Sequence, residues 1–126
     1  MPKAIINTEN APAPIGPYNQ SVKVNGFLFL SGQVAIDPAT NTIEAKNIEE
    51  ETEQVMKNLT AVLAAAGMNF SNVVKTTIFL SDMSLFQKVN EIYGKYFTEN
   101  APARETVAVK GLPRNVNVEI SMIAAE

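Results

Sequence analysis

The chain contains no cysteine and no histidine. Without cysteine there is no disulfide, no thiol nucleophile and no thiolate metal site. Without histidine the commonest general base and the commonest metal ligand are both missing. Any chemistry must therefore run on carboxylates, Arg, Lys, Tyr, Ser, Thr and backbone groups. Clusters of positive charge are missing as well. The lysines are scattered and the net charge is −3, whereas a general nucleic-acid groove needs grouped cations to release counterions from phosphate. No apolar stretch approaches the ~20 residues that span a bilayer. The first ten residues hold one lysine and no long apolar run, so no signal peptide is read there. The expectation is a cytoplasmic protein with neither a membrane nor a nucleic-acid partner.

What is present is the composition of a soluble globular domain, 46% apolar and 18% charged over 126 residues. That length makes one domain, residues 1–126, able to bury about two-thirds of its unfolded surface. Residues 3–7 read as an edge strand. Three prolines in residues 11–18 forbid a helix or a central strand there. With Ile15 and Tyr18 as apolar anchors, this stretch is expected to be a loop fixed on the body. Residues 21–24 and 27–31 read as a hairpin about Asn25-Gly26. Gly32 then allows a close backbone approach.

From residue 48 the period lengthens. Ile48, Thr52, Val55, Met56, Leu59, Val62, Leu63 and Ala66 recur at threes and fours, which predicts a helix over 48–66 with Asn47 as N-cap and Gly67 past its end. Glu49, Glu50 and Glu51 occupy its first turn, where the dipole favours them, and are expected to be solvated. Residues 73–80 are β-branched and read as a strand. Residues 85–97 form a second helix with Asn90 inside its apolar stripe. A buried amide needs partners, and a structural bond to neighbouring backbone is the expectation for Asn90.

Residues 102–120 read as two short strands joined by a turn. Alternation places Arg104, Thr106 and Ala108 on one face and Glu105 on the other. On the second strand Val116, Val118, Ile120 and Met122 form an apolar row, with Asn117, Glu119 and Ser121 facing the opposite way. Should the two polar faces meet, a guanidinium and a carboxylate would bracket a small anion and a water. The element order β, β-hairpin, α, β, α, β, β predicts an α+β two-layer sandwich, a mixed sheet with two helices packed on one face. The strands carry more apolar surface than two helices hide, so a homo-oligomer is expected.

Five fragments, Ile15-Gly16-Pro17-Tyr18, Leu30-Ser31-Gly32-Gln33, Val89-Asn90-Glu91-Ile92-Tyr93, Pro102-Ala103-Arg104 and Val118-Glu119-Ile120, stand in the order and spacing of the RidA (YjgF-like) reactive-intermediate deaminase family. The chain resembles that family over nearly its whole length. The resemblance implies a chorismate-mutase-like fold assembled as a homotrimer with ligand clefts between subunits. It also implies cofactor-independent hydrolysis of enamine and imine intermediates, 2-aminoacrylate/2-iminopropanoate and 2-iminobutanoate, to 2-oxo acids and ammonia. By the same resemblance Arg104 clamps the substrate carboxylate and Glu119 positions or activates water. Tyr18, Ser31, Gly32 and Asn90 line or support the pocket. Thr106 stands where many members have cysteine and is expected to line the pocket without a catalytic role. The alternatives are a small-carboxylate-binding trimer without turnover and, least favoured by the charge, an RNA-directed activity.

Overall fold

In the computed structural model, which describes residues 2–126, Asn25 and Gly26 turn the chain back on itself with φ of 53° and 80°. Two consecutive positive φ values match the right-handed twist of the flanking strands, the reason Asn-Gly serves this turn. Strand β2 (Ser21–Val24) therefore pairs antiparallel with β3 (Phe27–Gln33), and β1 (Ala4–Ile6) adds an edge to β2. The remaining strands are β4 (Val73–Leu80), β5 (Ala103–Ala108) and β6 (Val118–Ala125). They complete one six-stranded sheet in the order β1-β2-β3-β6-β4-β5.

The two strands expected to follow one another directly are not neighbours. β4 lies between them, parallel to β5 and antiparallel to β6. A parallel pair needs a crossover, and the segment after β4 supplies it. Residues 109–117 then carry the chain past β4 to the sheet centre.

Helix α1 (Ile48–Ala65) begins where Asn47 Oδ1 accepts the Glu50 N–H at 2.8 Å. It ends with Gly67 at φ 73°, where the N–H groups of Gly67 and Met68 donate to the Ala64 and Leu63 carbonyls, each at 2.9 Å. Its stripe of Val55, Met56, Leu59, Val62 and Leu63 is fully buried against the sheet. Each such side chain contributes roughly 1.5–3 kcal/mol. Helix α2 (Phe86–Gly94) follows a short 3₁₀ turn whose cap is Asp82, and it stops three residues before the predicted end. After Ile92 the bonds tighten to i→i+3, with Lys95, Tyr96 and Phe97 donating to Ile92, Tyr93 and Gly94. The apolar stripe nevertheless continues, since the Phe97 ring lies 4.7 Å from Tyr93 and 5.2 Å from Phe70. Both helices cover the same sheet face, so the fold is the α+β two-layer sandwich.

Alternation on β6 divides the molecule. Val118, Ile120, Met122 and Ala124 are buried toward the helices, and Glu119, Ser121 and Ile123 face the uncovered side. On that side Ile5, Phe27, Phe29 and Val107 remain exposed. This is the apolar surface that two helices leave uncovered.

Two expectations are corrected. Ile15 and Tyr18 do not anchor the proline-rich loop, since both are exposed. The anchor is Gln20, 1% exposed, whose amide donates to the carbonyls of Thr8, Ala11 and Pro12 and accepts the Thr8 N–H at 2.6 Å. One buried amide satisfies four backbone groups that prolines leave without a ladder. Glu51 likewise departs from its solvated neighbours. It is 6% exposed and accepts the N–H groups of Asn117 at 2.7 Å and Val118 at 3.2 Å, together with the Asn117 amide at 3.0 Å. It thus caps the start of β6, one residue from Glu119.

Candidate functional site

The site residues fall into two groups. The first is built on an irregularity of the β3–β6 ladder. Leu30 faces Met122 and Gln33 faces Ile120, so three steps on β3 match two on β6. The extra residue makes a bulge at Ser31-Gly32. A Cβ at Gly32 would lie 2.8 Å from Glu119 Cδ and 2.9 Å from its Cγ, so only glycine lets the Glu119 side chain fold across the bulge. Partial burial in turn pushes the Glu119 carboxyl above the ordinary value of 4.5.

Ser31 is tied back to the proline-rich loop. Its hydroxyl donates to the Asn19 carbonyl at 2.6 Å and its N–H to the Gln20 carbonyl at 2.9 Å. The result is a cavity of about 350 Å³ bounded by Tyr18, Ser31, Gly32, Arg114 and Glu119.

The second group stands at the other end of the sheet. Arg104, on the edge strand β5, is registered with Thr76, which is registered with Met122 on the helix side. Arg104 therefore meets α2. Its Nη1 donates to Asn90 Oδ1 at 2.7 Å, and its guanidinium lies 5.1 Å from the Tyr93 ring centroid and 5.7 Å from that of Phe86. Aromatic faces attract a cation without neutralising it. Tyr93 is held in turn by its hydroxyl donating to Thr76 at 3.1 Å, and burial raises its phenol above the usual 10.0. Asn90 thus bonds the arginine rather than backbone, because the stripe of α2 runs directly over the β5 edge. Two residues along, the Thr106 hydroxyl is buried with no hydrogen-bond partner among the described residues.

Glu105 does not disturb this arrangement. It faces the opposite side of the sheet, where Lys75 at 2.8 Å and Thr77 hold its carboxyl below 4.5. Of the three ion pairs among the described residues, every cation is a lysine. Arg104 and Arg114, the chain's two arginines, have no carboxylate partner among the described residues.

Arg104 and Glu119 do not bracket a common space within one chain. The same alternation that points Arg104 to the helix side points Glu119 to the uncovered side. Tyr18, Ser31 and Gly32 gather with Glu119, and Asn90 and Thr106 gather with Arg104. Arg114 went unread in the sequence because it belongs to neither a strand nor a helical stripe. The residues Gln20, Glu51 and Tyr93 support the two groups, and their polar atoms carry no periodic signal either.

The α+β sandwich is that of a known class of proteins. A family model described as Endoribonuclease L-PSP matches residues 8–126. A RutC family protein of Saccharolobus solfataricus is 52% identical over 122 residues, covering 97% of each chain. The mouse 2-iminobutanoate/2-iminopropanoate deaminase is 47% identical over 124 residues, covering 98% of this chain and 92% of its own. The crystal structure of a putative endoribonuclease from Thermotoga maritima superposes with a TM-score of 0.95 at 48% identity, covering 98% of this chain and 97% of that one. The chain belongs to the Endoribonuclease L-PSP family, the RidA (YjgF-like) family of the sequence resemblance.

Proposed function

We propose that this protein hydrolyses reactive 2-imino acids, 2-iminopropanoate and 2-iminobutanoate, to 2-oxo acids and ammonia without a cofactor. It does so as a homotrimer in clefts shared between subunits. The observation that carries the reading is the pair of half-sites on opposite faces of one sheet. One presents a guanidinium without a carboxylate among the described residues and the other a half-buried carboxylate at a cavity. The Arg104 half of one subunit set against the Glu119 half of the next completes a site that one chain leaves open. The exposed apolar sheet face supplies the surface for that association. The mouse relative's name supports the reaction class.

In the completed cleft the Arg104 fork holds the substrate carboxylate through parallel hydrogen bonds, with Asn90 fixing the guanidinium plane. Thr106 offers the carboxylate a hydroxyl. The iminium carbon is already electrophilic. Glu119 takes a proton from water as the oxygen adds to that carbon and returns it to the amine nitrogen; as the C–N bond breaks, the carbinol O–H proton passes back to Glu119 and the C=O bond forms. Products are the 2-oxo acid and ammonia. Burial of Glu119 raises its basicity toward that of a working general base, so the environment that desolvates it also suits it to the task.

The test is the decay of 2-iminopropanoate made in situ by an amino-acid oxidase and trapped with semicarbazide. Wild type, Arg104→Ala and Glu119→Gln are compared side by side. Acceleration by wild type and its loss in both variants supports the reading. Tight binding of 2-oxo acids with no acceleration by wild type replaces it with the carboxylate-binding trimer. Sedimentation of the purified protein as anything other than a trimer removes the shared cleft.

A further inference from the structure

Five residues other than glycine hold a positive φ among the described residues, and four of them are asparagine. Asparagine adopts that backbone at low cost because its side chain bonds locally. The fifth is Arg114, at φ 59° and ψ 20°, directly before Asn115 at φ 54°. An arginine gains nothing from such a backbone. The turn Pro113–Asn115 places Arg114 in the wall of the cavity that Glu119 also lines. Its guanidinium has no ion-pair partner among the described residues, in contrast to Lys23, Lys75 and Lys88.

A cation held at the wall of a cavity, without a carboxylate of its own chain, suits a ligand that brings one. We infer that Arg114 is a specificity-determining residue that pairs with a second carboxylate on the substrate. The cleft would then accept 2-imino dicarboxylic acids of four or five carbons beside the monocarboxylic imines. This inference rests on the proposed function. Arg104 holds the carboxylate next to the imine carbon, and Arg114, on the subunit that supplies Glu119, holds the distal one. Hydrolysis is unchanged in kind: water adds to the C=N carbon, the C–N bond breaks, and a 2-oxo dicarboxylate and ammonia leave.

The experiment measures binding, so that it stays separate from turnover. Calorimetric affinities for 2-oxoglutarate and 2-oxobutanoate are compared in wild type, Arg114→Gly and Arg114→Asn. Glycine and asparagine both accept the left-handed backbone, so the turn is kept while the charge goes. The expected result is measurable 2-oxoglutarate binding by wild type, and a fall of about tenfold or more in its affinity relative to 2-oxobutanoate in both variants, the size of a lost charge-assisted pair. A ratio that stays within about twofold, or wild type that binds 2-oxobutanoate and not 2-oxoglutarate, overturns the role of Arg114. A protein that shows the shift in the ratio yet hydrolyses no imine keeps the Arg114 assignment and refutes the deaminase reading alone.

Discussion

The two halves of the proposed site are built by different means. At the β5 edge, Arg104 is placed by strand alternation and by a helix stripe that crosses above it. Its contacts come from Asn90, Phe86 and Tyr93, all on one short helix. At the β3 bulge, Glu119 is placed by a fault in a ladder, a missing Cβ, a capped strand start and a loop tied to a buried glutamine. The first half tolerates error, since a long flexible side chain over two rings can recover its position. The second half is set by exclusion, and a single methyl group displaces it.

Substitutions separate the two. The largest effect is expected at Arg104→Ala. The guanidinium is exposed and makes no ion pair, so the fold survives. The loss of a bidentate charge-assisted clamp lowers kcat/KM for 2-iminopropanoate by about 100-fold. Unchanged kinetics would break the assignment of that half. Gly32→Ala strikes the other half without touching Arg104. Its methyl meets the flexible end of Glu119, so the carboxylate moves and kcat falls by roughly 10–100-fold, while 2-oxobutanoate still binds. Equal losses in kcat and in 2-oxobutanoate affinity would mean that the bulge serves binding as well.

Asn90→Ala removes one hydrogen bond to a charged group, worth about 1.5 kcal/mol, and is expected to weaken 2-oxobutanoate binding about tenfold with kcat little changed. A change in kcat alone would show that Asn90 serves the reacting atoms rather than the clamp. Thr106→Val has opposite signs in two measurements. Deleting a buried hydroxyl without a partner stabilises the free protein by about 1 kcal/mol. The same change weakens 2-oxobutanoate binding if the hydroxyl serves the ligand. A stabilised variant with full affinity would return Thr106 to a packing role.

The smallest effect concerns pH. The folded state raises the Glu119 pKa above 4.5, so folding favours the protonated form. The stability this gives is present below the unfolded pKa and is lost as pH rises through the folded value. Glu119→Gln is therefore expected to raise Tm at pH 7, with the gain disappearing as pH falls toward 4. In wild type the acid limb of kcat/KM should lie above the pKa of a free glutamate. A limb at or below 4.5 would detach Glu119 from the water-activating role.

Much of the fold was legible because it rests on local rules. Asn25-Gly26 marks its turn through φ alone, Asn47 and Gly67 bracket α1 through capping, and β4 spans the β-branched run 73–80 as predicted. Candidate residues for the site could be named from the sequence, but their grouping could not. Alternation separated Arg104 from Glu105 correctly and placed Glu119 away from Ile120. It could not relate two strands whose mutual position depends on β4 passing between them. The polar supports were missed for a related reason. Gln20 and Glu51 look like surface residues in any window of sequence, and only distant backbone groups, at residues 8–12 and 117–118, give them a reason to be buried.

By itself, the amino-acid sequence determined the element types and the absence of thiol and imidazole chemistry, and it offered Arg104 and Glu119 as candidates to meet a carboxylate and a water. Periodicity, turn preference and composition act within a few residues, and these properties need nothing more. The tertiary structure decided that Arg104 and Glu119 turn to opposite faces, that Gly32 makes room for a carboxylate, and that Arg114 joins it at the cavity wall. Those outcomes come from strand order, register and steric exclusion between segments distant in the chain, which no local preference encodes.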